Sequence, residues 1–123
     1  MKKALILDDS KVVRKLIYSM IEKRLPDYQI FEMPSGEEAM EMILKKQIKD
    51  FSFVIIDYNL LGMNGLEFYL KIKDMVKISH SFILTANIQQ KVKEKIEQNN
   101  VVLIEKPFKI ESFEKIIMAA LQE

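Results

Sequence analysis

Four short apolar runs constrain this chain more than any other feature: Ala4-Leu5-Ile6-Leu7, Phe53-Val54-Ile55-Ile56, Phe82-Ile83-Leu84 and Val101-Val102-Leu103-Ile104. Each is continuous rather than alternating, the pattern of a strand covered on both faces in a parallel sheet. Tyr28 to Met33 is a fifth candidate, and Gln29 and Glu32 within it suit an edge strand. Stretches of helical period separate these runs. Val12, Val13, Leu16, Ile17, Met20 and Ile21 form one broad stripe, which Pro26 ends. Ser35-Gly36-Glu37-Glu38 is a capping box opening a second helix through Ala39, Met40 and Ile43. Asn64 with Glu67 opens a third, and Asn87 with Gln90 a fourth. The last spans Ile110 to Leu121, with Phe113, Ile116, Ile117 and Ala120 facing inward. Five β-α repeats predict one α/β unit: a doubly wound, five-stranded parallel sheet with five helices on its two faces.

The length of 123 residues fits one domain spanning 1–123. With 19 basic and 18 acidic side chains the net charge is +1, which argues against nucleic-acid binding by bulk phosphate neutralisation. The chain has no cysteine, so disulfides, thiolate metal sites and a cysteine nucleophile are excluded. No apolar run approaches the ~20 residues that span a bilayer. Asp8 and Asp9 fall where a signal peptide would be apolar, and the reading is a cytoplasmic domain. Only Ile88, Val92 and Ile96 mark the apolar side of the fourth helix, which is therefore expected to be loosely held.

Polar residues interrupt the pattern in one kind of place. Asp8 and Asp9 end the first strand, Asp57 the third, Thr85 the fourth and Lys106 the fifth. In open α/β sheets, ligands bind beyond the carboxyl ends of the strands, near the point where strand order reverses. If the first and third strands are neighbours, three carboxylates crowd together, and a cation must offset them. Oxygen donors without His or Cys suit a hard ion, Mg2+ above all. A lysine and a hydroxyl beside it would complete a pocket for a phosphoryl group, which Asp57 could itself accept as an aspartyl phosphate.

Each residue has a plainer reading. Asp9 or Ser10 could cap the first helix, and Asp57 could begin a turn. Thr85 could be an ordinary strand residue, and Lys106 a gatekeeper on an edge. Independent roles would scatter them over both ends of the sheet; all fall at one end. His80, a lone histidine at the start of a strand, is assigned no role. The eight methionines read as core filler, and Lys45, Lys46 and Lys49 as a solvated helix terminus.

These residues resemble the receiver domains of bacterial two-component response regulators, the CheY-like family. The likeness runs from Leu5 to Leu121. Ile6-Leu7-Asp8-Asp9-Ser10, with Arg14 four residues on, is similar to the family's opening acidic pair. Val54-Ile55-Ile56-Asp57 resembles its phosphoacceptor strand, and Gly62-Met63-Asn64-Gly65 the loop beyond. Leu84-Thr85-Ala86 resembles its switch hydroxyl segment and Glu105-Lys106-Pro107-Phe108 its lysine motif.

The resemblance implies a flavodoxin/CheY-like sheet of order 2-1-3-4-5. It implies that Asp57 accepts phosphate from a phosphohistidine on a sensor histidine kinase or phosphotransfer protein. Asp8, Asp9, Asp57 and the Asn59 backbone carbonyl would hold Mg2+, Lys106 would bind the phosphoryl oxygens, and Thr85 would move to bond one of them. Asn59 and Asn87 would tune dephosphorylation, and the Lys106-Pro107 bond would be cis. Such a domain is no enzyme beyond its own Mg-dependent phosphorylation and dephosphorylation. Its output would pass to a downstream target protein, or to an effector domain outside this chain, with no direct contact to nucleic acid or membrane.

The chain departs from the family pattern at three positions. Leu61 stands where a proline is usual, Asn99-Asn100 where a glycine commonly ends the fourth helix, and Leu103 where an aromatic switch residue is expected. Two other classes compete with a phosphorylation switch. A small aspartyl-phosphate phosphatase of the haloacid-dehalogenase type would place its nucleophile at the end of the first strand, which here reads Asp8-Asp9. A receiver-like adaptor that takes no phosphate would not need Asp57, Asp8, Asp9, Thr85 and Lys106 together.

Overall fold

The computed structural model describes residues 1–86 and 89–122. Strands and helices alternate throughout: β1 (Lys3–Leu7), α1 (Lys11–Arg24), β2 (Gln29–Met33), α2 (Gly36–Lys45), β3 (Asp50–Asp57), α3 (Gly65–Ile72), β4 (Lys77–Thr85), α4 (Gln90–Gln98), β5 (Val102–Glu105) and α5 (Ile110–Leu121). All five strands are parallel, in the order β2-β1-β3-β4-β5. The chain winds outward from β1 to β2 and then back across to β3. Leu7 consequently lies opposite Ile56, and the carboxyl ends of β1 and β3 open side by side.

Two apolar layers hold the sheet. Ala39, Ile43, Phe68, Ile72 and Ile96 bring α2, α3 and α4 onto one face, against Leu5, Leu7, Val54, Ile56 and Ile83. Ile17, Ile21, Phe113, Ile116 and Ile117 bring α1 and α5 onto the other, against Ala4, Ile6, Phe53, Ile55 and Leu84. Every residue of β3 after Asp50 is buried, as its unbroken apolar run requires.

Several boundaries depart from the sequence pattern. β4 begins at Lys77, not Phe82, because Lys77–His80 pair with Asp50–Phe53 of β3. That half of the strand alternates exposed and half-buried, so no apolar run announces it. His80 therefore sits within β4 rather than at its start. β5 starts opposite Phe82 and is an edge, with Val102 45% exposed. The stripe on α1 is wider than the face the sheet can cover: Ile17 and Ile21 are buried, but Val12 is 79% exposed. The methionines do not all fill the core; Met42 is buried, while Met75 and Met118, on the outer faces of their segments, are exposed.

The helix ends show which caps form. Ser10 accepts from the N–H of Val13 at the start of α1, so Asp9 has no capping duty there. Ser35 accepts from Glu38 N, yet the Glu38 carboxylate takes the Ser35 hydroxyl, leaving the box half made. Asn64 and Glu67 form the complete reciprocal box. Gln89 precedes α4 with no side-chain cap bond; the cap expected at Asn87 and the apolar contact expected from Ile88 lie outside the described residues. Asn100 closes the α4–β5 turn with φ 61°, a left-handed conformation that asparagine tolerates.

Candidate functional site

The carboxyl end of the sheet gathers the expected polar residues. Asp8, just past β1, and Asp57, the last residue of β3, are both buried; Asp9 is exposed beside them. A carboxylate oxygen from each of the three lies within 4.8 Å of the other two. Lys106, just past β5, reaches over the end of β4. Its Nζ stands 3.2 Å from Asp57 Oδ2 and 3.4 Å from Asp8 Oδ2. Thr85 ends β4 between them, fully buried, and its carbonyl accepts from Lys106 N at 2.9 Å. Asp8, Asp9, Asp57, Thr85 and Lys106 are thus one constellation.

Backbone geometry aims these side chains. The Ser10 N–H donates to Asp8 Oδ1 at 2.9 Å, and the Asn59 N–H to Asp57 Oδ1 at 3.2 Å. Beyond Asp57 the chain turns through Gly62, whose φ of 87° favours glycine. It returns so closely that a Cβ on Gly65 would collide with the Asp57 carbonyl oxygen. The Gly65 N–H donates to Tyr58 O at 2.7 Å, tying the start of α3 to the end of β3. The Lys106-Pro107 peptide is cis, as the resemblance implied. Leu61 projects from the loop at 86% exposure, beside a shallow cleft of about 260 Å3 that also borders Asp9 and Asn59.

The electrostatics follow from this crowding. Burial pushes the Asp57 carboxyl above its ordinary range, and the Asp8 charge adds to the effect; Lys106 and the Asn59 N–H offset it only in part. Burial alone would lower Lys106, but the charges of Asp57 and Asp8 outweigh it and hold the ammonium above its usual value. Three carboxylates against one ammonium leave an uncompensated anionic pocket lined only by oxygen donors. That donor set fits a hard divalent ion such as Mg2+ and does not suit zinc or copper.

Glu32 and Lys15 join the site through Arg14 of the opening acidic stretch, and no sequence motif announced either of them. Arg14 donates through Nη1 to the Asp8 carbonyl at 2.7 Å and through Nε to Glu32 Oε1 at 3.1 Å. Lys15 donates to the other Glu32 oxygen at 2.7 Å. Burial alone would raise Glu32, but these hydrogen bonds and charges prevail and hold its carboxyl below the ordinary range. Arg14 therefore anchors the acidic loop from behind, against β2. The pairing with Glu32 comes from the β1–β2 register, which sets Ile6 beside Glu32 and Leu7 beside Met33, and no linear motif contains that pairing.

A family model for the response regulator receiver domain matches residues 4–118. This chain belongs to that family. The receiver is 34% identical over 71 residues to a chemotaxis protein CheY homolog of Campylobacter jejuni, covering 58% of this chain and 52% of that protein. It is 30% identical over 106 residues to the transcriptional regulatory protein LytR of Staphylococcus aureus, covering 86% of this chain and 42% of that one. The matched part thus spans about half the length of these relatives. In fold it is similar to the signal receiver domain of a DNA binding response regulator from Colwellia psychrerythraea, with a TM-score of 0.85, 18% identity and complete coverage of both chains. Membership places the chain among two-component signalling proteins, and neither the phosphatase nor the adaptor class gains support from these likenesses.

Proposed function

We propose that this receiver is a phosphorylation-operated switch whose acceptor is Asp57. An Asp57 carboxylate oxygen attacks the phosphorus of a phosphohistidine on a sensor kinase or phosphotransfer protein. The new O–P bond forms as the P–N bond breaks, and the imidazole leaves with the bonding pair. Water later cleaves the acyl phosphate, restoring the carboxylate and releasing inorganic phosphate. The observation that carries this reading is the ammonium of Lys106 at 3.2 Å from Asp57 Oδ2, within a pocket of three carboxylates.

Phosphoryl transfer requires positioning and charge stabilisation more than covalent assistance. Lys106 would bind a phosphoryl oxygen, and the Thr85 hydroxyl would donate to another. Asp8, Asp9 and Asp57, with the Asn59 carbonyl, are the groups that would hold Mg2+; when bound, the ion supplies positive charge to the transferring oxygens. Arg14 and Ser10 N–H hold Asp8 in place against the repulsion of its neighbours.

The added phosphoryl group carries about −1.5 to −2 charges and draws Thr85 and Lys106 toward it. Because the Lys106 N–H donates to the Thr85 carbonyl, a shift of one strand end moves the other. No aromatic ring is exchanged at Leu103, so this backbone link is the route outward to β5 and α4. Output passes by protein contact to a target or an effector domain. No helix among the described residues is long and apolar enough to cross a membrane.

Intact-mass measurement after incubation with acetyl phosphate and Mg2+ tests the proposal. One phosphoryl adduct is expected, absent in Asp57→Asn. A wild-type chain that never takes the adduct, or an Asp57→Asn chain that still does, would overturn it.

A further inference from the structure

Helix α2 carries a second apolar face that the core does not use. Gly36, Ala39, Met42 and Ile43 point into the domain, whereas Met40 is half-buried and Leu44 is 60% exposed. Met40 and Leu44 border a groove of about 440 Å3 between α2 and α3, with Met63 and Phe68 on the other side. Gly36 makes this shape: a Cβ there would stand 2.9 Å from Phe68 Cδ1, so the ring lies directly against the first turn of α2.

The rims are charged and opposite in sign. Glu37 and Glu41 line the α2 side and Lys71 the α3 side. None of the three makes a salt bridge or side-chain hydrogen bond among the described residues. Glu37, Met40, Glu41 and Leu44 follow i, i+3, i+4, i+7 spacing, so acids and apolar groups alternate along one face. The ten residues of α2 rise about 15 Å, room for partner anchors at i, i+4 and i+7.

We propose that the α2–α3 groove docks an amphipathic helix of a partner protein. Its apolar stripe packs on Met40, Leu44 and Met63, over a floor backed by the buried Phe68, and its lysines or arginines face Glu37 and Glu41. Two helices flanking a trough favour a helical occupant, and soft methionine side chains adapt to its anchors. The unpaired acids on the longer wall determine that the flank facing α2 is basic. This inference does not depend on Asp57 accepting phosphate, and its test uses none.

The probe is a synthetic amphipathic peptide with leucines at i, i+4 and i+7 and lysines along one flank, titrated into the isotope-labelled protein. Amide shifts are expected to concentrate around Met40, Leu44, Met63 and Phe68. Leu44→Glu, a change at an exposed site that leaves the fold intact, is expected to weaken binding by about tenfold or more. The double variant Glu37→Lys, Glu41→Lys should do likewise for the lysine-flanked peptide and improve binding of a glutamate-flanked one. Wild-type affinity in Leu44→Glu, equal binding of both peptides, or shifts confined to other faces would overturn the proposal. So would self-association of the peptide-free protein that Leu44→Glu abolishes, since the groove would then take a second copy.

Discussion

Lys106 Nζ lies 3.2 Å from Asp57 Oδ2 although their strands are not neighbours, because β4 runs between β3 and β5. Two strand spacings of about 4.8 Å separate the backbones, and the four-carbon stem of lysine spans the gap. The same ammonium is 3.4 Å from Asp8 Oδ2, so it occupies the attraction of the very carboxylates that a divalent cation would use.

Replacing Lys106 by methionine keeps the stem and removes the charge. Mg2+ is then expected to bind more tightly, because no cation competes for Asp8 and Asp57. A gain of about tenfold corresponds to ~1.4 kcal/mol. That is well inside the ~4 kcal/mol a unit charge exerts at about 4 Å and an effective dielectric near 20. Phosphoryl adduct formation should meanwhile slow. Calorimetric titration with magnesium chloride checks the first effect, and an unchanged affinity would show that the ammonium does not bear on the ion.

Asp57 makes the metal-free fold sensitive to rising pH. Its carboxyl ionises above the ordinary 3.8, through burial and the Asp8 charge, so the folded chain holds that proton more tightly than the unfolded one. The resulting stability is complete below 3.8 and is lost as pH rises through the folded value. Asp57→Asn removes the buried charge and keeps an acceptor for Asn59 N–H. It should stabilise the chelator-treated protein at neutral pH by of order 1 kcal/mol, with the gain vanishing in acid. Thermal unfolding of both proteins across this range measures the difference.

Glu32 works in the opposite direction. Hydrogen bonds and charge from Lys15 and Arg14 outweigh burial and hold its carboxyl below the ordinary 4.5. Its contribution is present above 4.5 and is lost as pH falls through the lower folded value. Glu32→Gln should flatten the acid limb of the stability curve, which Asp57→Asn leaves in place. Arg14→Ala should cost about 1.5–3 kcal/mol, the range for hydrogen bonds to charged groups. It should also weaken Mg2+ binding, because the Asp8 carbonyl loses its anchor. Urea unfolding at several pH values separates these effects; an identical acid limb in Glu32→Gln would rule out the linkage.

The parts legible in the sequence are those written in local pattern. Continuous runs such as Phe53-Val54-Ile55-Ile56 mark strands buried on both faces, and Asn64 with Glu67 marks a helix start through chemistry three residues apart. Asp8, Asp9, Asp57, Thr85 and Lys106 stand out because each ends an apolar run, where a polar residue needs a reason. Features that depend on pairing between distant segments were hidden. Lys77–His80 form a strand only because Asp50–Phe53 lie alongside. Glu32 becomes part of the site only once β2 sits beside β1. Exposure on α1 is hidden for a related reason: six apolar residues share a stripe, and only the packed sheet shows that it covers Ile17 and Ile21 but not Val12.

Helix α4 should open before the rest of the domain. Ile96 is its one fully buried residue among those described, Gln89 at its N-cap makes no side-chain cap bond, and the Gln90–Glu94 pair on its surface is solvent-exposed. α5, by contrast, buries Phe113, Ile116, Ile117 and Ala120. Local opening costs scale with the apolar surface exposed, so α4 amides are expected to exchange through sub-global openings while those of β3 require global unfolding. The turn that follows sharpens the test. Asn100 adopts φ 61°, and alanine there should cost about 1–2 kcal/mol of left-handed strain. If α4 opens as a unit with its terminal turn, Asn100→Ala will speed α4 exchange and leave α5 exchange set by global stability alone. Hydrogen exchange read by mass spectrometry on both proteins decides this; equal protection of α4 and α5 would mean that Ile96 and the β5 contact hold the helix as firmly as four buried residues hold α5.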